Sequence, residues 1–153
     1  MKAFLFLILA LPNFVLATQI EIIGPCKSKP LYKFNATING KDLSVGKVTI
    51  DSFKEFDIDY VGNEDSILTI ESIPTLEQSF EIVNENHIRA YGWCYQVDGF
   101  EPDVIPSEYP LSEGKLITWF IGFAEKINGV WITQCIPANT ISPDHLCSNT
   151  YSK

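Results

Sequence analysis

The amino-acid sequence predicts an α+β domain in which a mixed or antiparallel sheet packs on one short helix. Most apolar segments are short, rich in β-branched and aromatic residues, and bounded by turn residues such as Asp98-Gly99 and Asn128-Gly129. Only one segment, roughly Ile50–Phe56, spaces its large apolar residues as a helix does. Many strands with a single helix indicate a sheet that covers the helix with one of its faces.

The first half of the chain is expected to form a strand pair, the helix and two further strands. Thr49 is placed as the helix N-cap, because its hydroxyl can accept a hydrogen bond from a free backbone N–H. Phe53 and Phe56 would share one face of that helix. Strands are expected at Ile20–Ile23, Leu31–Ile38, Ser66–Ser72 and Phe80–Val83, with a loop at Gly24–Pro30 and turns at Lys41–Gly46, Gly62–Asp65 and Asn84–Asn86.

The second half contains the clearest strand, His87–Val97, whose alternation places Tyr91, Trp93 and Tyr95 on one face. Asp98-Gly99 then predicts a two-residue hairpin turn, since both positions of a type I′ turn need positive φ. The prolines of Pro102–Pro110 are incompatible with a central strand, so this segment is expected to be a surface loop. Strands at Leu116–Ala124 and Val130–Cys135 complete a domain over residues 18–136, followed by an irregular tail over residues 137–153.

The N-terminus is typical of a secretory signal peptide covering residues 1–17. Lys2 precedes a short apolar run, and Ala17 offers a small residue at which cleavage can occur. The run is too short to span a bilayer comfortably, so an uncleaved anchor is the less favoured alternative. We therefore expect a secreted or periplasmic protein with no membrane span after cleavage.

Charge and cysteine content agree with export. The formal net charge is −8, which disfavours a nucleic-acid partner because phosphates are neutralised by clustered Lys and Arg. An even number of cysteines in an exported domain predicts two disulfides. Of the three possible pairings we prefer Cys94–Cys135 with Cys26–Cys147, because the first pair lies on predicted strands of one sheet; a zinc site using Cys135, His145 and Cys147 is the competing interpretation.

One pattern of residues extends from Tyr91 to Trp119. It consists of Gly92-Trp93-x-Tyr95-x-Val97-Asp98-Gly99, then Glu101-Pro102, Tyr109-x-Leu111, Gly114, Ile117 and Trp119, with a looser upstream part at Val48-Thr49 and Gly62-Asn63-Glu64-x-Ser66-Ile67. This pattern resembles the transcobalamin-like C-terminal domain family, which is a domain of unknown function. Lys115 departs from it, since the family has an aspartate after this glycine.

The resemblance implies a β-grasp-like fold acting as an exported binding or accessory module. In cobalamin carriers this module covers one face of the corrin ring, beside a large helical domain that this sequence does not contain. Binding of cobalamin or another tetrapyrrole-related ligand would therefore need a partner chain to supply the other half of the site.

Aromatic residues are the candidate ligand contacts. They are Trp93, Tyr95, Tyr109 and Trp119, with Trp131 as a further member of the set. Aromatic rings suit recognition because they combine large apolar area with a polar atom. The alternative is that these rings form the core and its rim, with Tyr109 in the proline loop the one most free to face a ligand.

Apart from the zinc alternative for the cysteines, the sequence contains no pattern that predicts catalysis or a metal site. His87 and His145 have no accompanying nucleophile motif, and the loop carboxylates Glu101, Asp103 and Glu108 match neither a glycosidase pair nor a calcium loop. Asn35-Ala36-Thr37 is a glycosylation sequon that has meaning only in a eukaryotic source.

The sequence thus predicts an exported, non-enzymatic binding or interaction module without a required cofactor. The first alternative is a structural or assembly component of the cell envelope that binds only protein, and the second is the cobalamin-related role. A binding module should show a concave aromatic site beside the proline loop. A structural component should instead bury those rings and expose a sheet edge or an apolar patch.

Overall fold

The computed structural model describes residues 17–38, 40 and 43–148, so the predicted signal peptide lies outside the described residues apart from Ala17. The fold is α+β, with a curled mixed sheet and few helices, as the sequence predicts. The strands are β1 (Thr18–Ile23), β2 (Tyr32–Ala36), β3 (Tyr60–Gly62), β4 (Ile67–Ile70), β5 (Phe80–Asn84), β6 (His87–Val97), β7 (Leu116–Ile127), β8 (Val130–Trp131) and β9 (Ile136–Pro137), and the α-helices are α1 (Val45–Glu55) and α2 (Asp144–Cys147).

A mixed sheet of seven strands forms the centre of the molecule. Its main order is β2-β1-β7-β6-β5, and β8 and β9 also pair with β7. β1 runs parallel to β7, whereas the other neighbours in this sheet are antiparallel. β7 is therefore the central strand. β3 and β4 form a separate antiparallel hairpin.

The inner face of the sheet, defined as the face that packs on α1, carries the core. Along β6 and β7 the register pairs Tyr95 with Trp119 and Tyr91 with Phe123, so alternate residues of both strands point to this face. One buried cluster joins that face to α1, and a second joins it to the C-terminal segment that contains α2. Trp93 packs against both clusters.

Both predicted hairpin turns are confirmed by their backbone angles. Asp98 and Gly99 have φ of 52° and 79°, and Asn128 and Gly129 have φ of 51° and 81°. Positive φ at two successive residues is what a type I′ turn requires, and Asn or Asp followed by Gly tolerates it best.

Two disulfides connect distant parts of the chain. Cys94 of β6 is bonded to Cys135, and Cys26 in the β1–β2 loop is bonded to Cys147 of α2. Of the three pairings that the sequence allows, this is the preferred one. Because Cys135 and Cys147 are both oxidised, neither thiolate is available to the alternative zinc site.

The helix begins earlier than predicted, which corrects the placement of its cap. Ser44 is the N-cap, and its Oγ accepts a hydrogen bond from the backbone N–H of Lys47. Thr49 lies instead in the buried middle of α1, because its hydroxyl has a partner from the sheet. Phe56 follows the last helical residue and is exposed, so only Phe53 lies in the core.

Several strand predictions also need correction. The predicted strand Ser66–Ser72 is limited to β4, which pairs with the unpredicted β3. The predicted strand Val130–Cys135 ends at Trp131, after which the chain reaches β9. The tail is not wholly irregular, since it contains a 3₁₀ turn at Ala138–Thr140 and the helix α2.

Candidate functional site

The loop between β6 and β7 is fastened to the N-terminus of α1. The backbone N–H of Val45 donates to the carbonyl of Tyr109 at 3.0 Å, and that of Gly46 donates to the carbonyl of Pro106 at 2.9 Å. Together with Ser44, the loop therefore satisfies the first free N–H groups of the helix. Because these N–H groups already donate to the loop and to Ser44, they are not available to bind an anion.

A third segment meets the helix at the same point. A Cβ built on Gly46 would lie 1.9 Å from the carbonyl oxygen of Glu64, in the turn between β3 and β4. Only glycine allows this approach of the two backbones. The Oγ of Ser107 donates to Asp65 Oδ1 at 2.6 Å, which links the same turn to the loop.

A cleft of about 390 Å³ lies between this loop and β6, and we call it the proline-loop cleft. Its walls come from the β3–β4 hairpin, β6, residues 101–106 and the segment that leads to Cys135. The described residues that line it are Asp65, Ser66, Ile67, Trp93, Cys94, Tyr95, Glu101, Pro102, Asp103, Val104, Ile105, Pro106, Trp119, Gln134 and Cys135. A concave site of this kind is the usual location for a small ligand.

Two of the predicted ligand contacts, Tyr95 and Trp119, are mainly core residues. Tyr95 donates its hydroxyl to the carbonyl of Val104 at 2.7 Å, and Trp119 donates Nε1–H to Thr49 Oγ1 at 3.0 Å. Both side chains are buried, and burial raises the pKa of Tyr95 to about 12. Their polar atoms are therefore already used within the protein, and these rings serve as walls of the cleft.

Trp93 is the aromatic ring best placed to contact a ligand. It is only partly buried, and its Nε1–H donates to the carbonyl of Ile73 at 2.7 Å, which fixes the ring at the cleft wall. Tyr109 was expected to be the most ligand-facing ring, but it is half-buried in an edge contact with Tyr95, with 6.4 Å between ring centroids. Trp131 lies elsewhere, exposed beside Lys126.

The cleft is acidic. Asp65, Glu101 and Asp103 line it, and none of its described lining residues is Lys, Arg or His. Partial burial, together with the nearby charge of Asp103, raises the pKa of Glu101. Glu108, the third loop carboxylate named from the sequence, is exposed and is not among the described lining residues. Asp65 was not recognised from the sequence as a site residue, because its approach depends on a contact between segments 42 residues apart.

Both histidines lie in polar contacts away from the cleft. His87 Nε2 is 3.0 Å from Glu125 Oε1, and the same oxygen accepts a hydrogen bond from Arg89 Nε at 3.0 Å. His145 and Gln78 contact each other twice, each through its side chain and the other's backbone carbonyl. The contacts of His87 and Arg89 with Glu125 link β6 to β7, and the contacts between His145 and Gln78 join α2 to the turn before β5.

A related contact stabilises the charged form of Glu81. Burial alone would raise the pKa of this carboxyl group, but a 2.5 Å hydrogen bond from the Tyr91 hydroxyl and the charge of Arg89 outweigh burial and lower it. The pKa of Tyr91 is correspondingly raised, first by burial and then by the same carboxylate. The Tyr91 hydroxyl therefore donates its hydrogen bond to Glu81, which favours the charged form of that carboxyl group.

Among the described residues, no group of three or more His, Cys, Asp or Glu side chains is arranged to hold a metal ion. No helix in the described part of the chain is long and apolar enough to cross a membrane.

Comparisons of the chain with family models, with curated proteins and with solved structures found no match. The case for a function therefore depends on the geometry and chemistry of the sites described above.

Proposed function

We propose that the protein is an exported, non-enzymatic binding module whose ligand occupies the proline-loop cleft. The observation that carries this proposal is the combination of a partly buried ring, Trp93, with a concave space of about 390 Å³. The cleft walls are held in place by hydrogen bonds from Tyr95, Ser107 and the first turn of α1. Such preorganisation favours binding because little conformational entropy is lost when the ligand enters.

The chemistry of the cleft favours a ligand that combines a flat apolar group with a positive charge. Trp93 offers a ring against which such a group can pack, and aromatic rings attract cations through their negative faces. Glu101 and Asp103 supply negative charge that no described lining residue neutralises. Burial and, to a smaller extent, the charge of Asp103 raise the pKa of Glu101, and a bound cation would offset the second effect.

The topology supports the finer fold proposal, a β-grasp-like domain. The β1–β2 hairpin is followed by α1, and the last long strand, β7, lies parallel to β1 in the centre of the sheet. The proposed secreted or periplasmic location is supported by the two disulfides, which persist in oxidising compartments.

Two other functions are less favoured alternatives to a small-ligand binding module. An envelope assembly component is favoured by a sheet edge that exposes Phe80 and Ile82. Cobalamin binding would need a partner chain, because a cleft of about 390 Å³ is at the small end of ordinary ligand sites and a corrin ring is large. Titration of the purified protein with cobalamin, followed by the corrin absorbance, tests that role directly.

A matched pair of probes tests the cleft. Tryptamine and indole-3-acetate share one ring and differ in the sign of their charge, and each can be titrated into ¹⁵N-labelled protein. We expect tryptamine to shift the indole N–H signal of Trp93 and to bind about tenfold more tightly than indole-3-acetate. Replacing Glu101→Gln together with Asp103→Asn should abolish that preference, whereas the exposed control Glu113→Gln should retain it. Equal affinity for the two probes, or shifts confined to Trp131, would refute the proposed site.

A further inference from the structure

The outer face of the sheet, opposite to α1, changes character from one end to the other. At the β1–β2 end it is polar, with Lys33 paired to Glu21 at 2.7 Å beside Thr118. At the β5 end it is apolar. Phe80 and Ile82 lie there and are 59% and 77% exposed.

The register explains why these two side chains are so exposed. Phe80 is opposite Ala90, and Ala90 is in turn opposite Ala124, so small residues leave one side of the phenylalanine ring uncovered. Ile82 is opposite Ile88 on β6, and Ile88 is in turn opposite Lys126 of β7, whose ammonium group lies over the Trp131 ring, so the apolar part of this row ends at β6. Exposed apolar side chains in adjacent rows of one sheet face form a patch of the kind that marks interaction surfaces.

The backbone of β5 is also available. β5 pairs with β6 on one side and is the last strand of the sheet in the described part of the chain. Edge strands are usually protected by Lys, Pro or a covering segment. The opposite edge, β2, carries Lys33 within its salt bridge, whereas β5 has neither Lys nor Pro. The β5–β6 register shifts between Ile82 and Asn84, so the regular part of this edge is Phe80–Ile82. The two edges of the same sheet are therefore protected to different degrees.

Charge around β5 indicates what kind of chain would pair with it. Glu77, Glu81 and Glu85 occur in and beside the strand, and residues 77–85 contain no Lys, Arg or His. Glu77 and Glu85 are exposed, and the side chain of Glu81 is 31% exposed. An approaching strand would thus meet apolar side chains on the outer face, the Glu81–Arg89 ion pair on the inner face, and the negative charges of Glu77 and Glu85 at the two ends.

The same charges disfavour a second copy of this chain. Antiparallel pairing of two β5 strands centred on Ile82 would place Glu85 of one copy diagonally across from Glu77 and Glu81 of the other. Each copy also carries a net charge of −8. A strand with positive side chains would convert these repulsions into attractions.

We propose that β5 binds an extended, basic segment of another protein by strand addition. The segment would add to the sheet beyond β5, with its apolar side chains against Phe80 and Ile82 and its Lys or Arg side chains near the flanking Glu77 and Glu85. This surface is distinct from the proline-loop cleft, so either site can exist without the other.

The test uses a synthetic peptide, acetyl-Lys-Val-Lys-Ile-Lys-Val-Lys-amide, in which apolar and basic residues alternate. Two control peptides are needed: one with Glu in place of every Lys, and one with the same composition but scrambled order. Binding is measured by isothermal titration calorimetry at two salt concentrations, and hydrogen exchange reports whether the β5 amides become protected. We expect the alternating basic peptide to bind, to protect β5 and to bind more weakly at higher salt.

Two matched variants locate the contact. Ile82→Lys should weaken binding of the basic peptide at least about tenfold, since it replaces an apolar contact by a like charge. Leu68→Lys, at a residue 61% exposed on the β3–β4 hairpin, should leave the affinity within about twofold. Circular dichroism confirms that both variants fold; should Ile82→Lys not fold, Phe80→Lys replaces it.

Three outcomes would overturn the proposal. They are the absence of binding by the alternating basic peptide, equal binding of the scrambled peptide, and a dimer of the free protein that Ile82→Lys dissociates. The last outcome would assign the edge to a second copy of this chain.

Discussion

The hydrogen bond between Trp119 and Thr49 should couple the sheet to the helix energetically. Trp119 Nε1 is 3.0 Å from Thr49 Oγ1, and both side chains are almost fully buried. We predict that Thr49→Val destabilises the protein because the indole N–H then has no acceptor and cannot reach water. Valine has nearly the same shape as threonine, so the substitution changes this hydrogen bond with little change in packing.

The expected loss of folding stability arises because the buried indole N–H of Trp119 would have no hydrogen-bond acceptor. Leaving a buried donor without a partner costs about 1–3 kcal/mol. In a Trp119→Phe background the donor is absent, and Thr49→Val should then cost less than about 0.5 kcal/mol. The difference between the two backgrounds is the coupling energy of the pair, and the lost volume of Trp119→Phe cancels in the double-mutant cycle.

Urea unfolding followed by far-ultraviolet circular dichroism, with both disulfides intact, measures all four proteins of the cycle. An unchanged m-value shows that the substitutions act on stability and not on the compactness of the unfolded state. An equal cost of Thr49→Val in both backgrounds would refute the assignment of the hydrogen bond, and the absence of any cost in the wild-type background would do the same.

Three further predictions concern packing, pH and the disulfides. Gly46→Ala should destabilise the protein by about 3 kcal/mol, although alanine is the better helix former, because its Cβ would overlap the carbonyl oxygen of Glu64. Gly92→Ala should be almost neutral in thermal unfolding, because no heavy atom lies within 4 Å of its new Cβ. Equal melting temperatures of the two variants would contradict this prediction. Glu81 has a pKa below its ordinary value of 4.5, so its stabilising charge is present above that pH and is lost as the pH falls through the folded-state pKa. The stability deficit of Glu81→Gln should therefore shrink below about pH 4, and a deficit that is constant from pH 7 to 3 would exclude this role. Replacing Cys94 and Cys135 by Ser removes a disulfide between residues 41 positions apart and should lower the free energy of unfolding in urea by about 4 kcal/mol. An unchanged urea midpoint would contradict this prediction.

The sequence was most informative where the signal is local. Asp98-Gly99 predicted its turn because positive φ at two residues restricts the choice of amino acid. Alternation in β6 predicted which residues share a face, since successive side chains point to opposite sides of any strand. The helix start was misplaced because Ser44 and Thr49 are both good caps in sequence, and only the contact with Trp119 occupies the Thr49 hydroxyl.

The candidate site was only partly predictable for the same reason. Trp93 was identified from its strand, but Tyr109 was expected to face a ligand, because nothing in the sequence shows that Tyr95 provides a partner for its ring. Asp65 gave no signal at all, since its position at the cleft depends on how the β3–β4 turn approaches the loop. The edge position that β5 occupies within the described residues is likewise invisible in sequence, because an edge strand is defined by having a neighbour on only one side.

The sequence by itself determined the fold class, the two hairpin turns and an even set of cysteines suited to export. These features depend on backbone angles, side-chain alternation and composition, all of which act within a few residues. Only the tertiary structure decided which aromatic rings are core, where acidic side chains converge beside Trp93, and which of the described strands lie at the edges of the sheet. Those properties arise from pairings between segments far apart in sequence, and many different pairings satisfy the same local pattern.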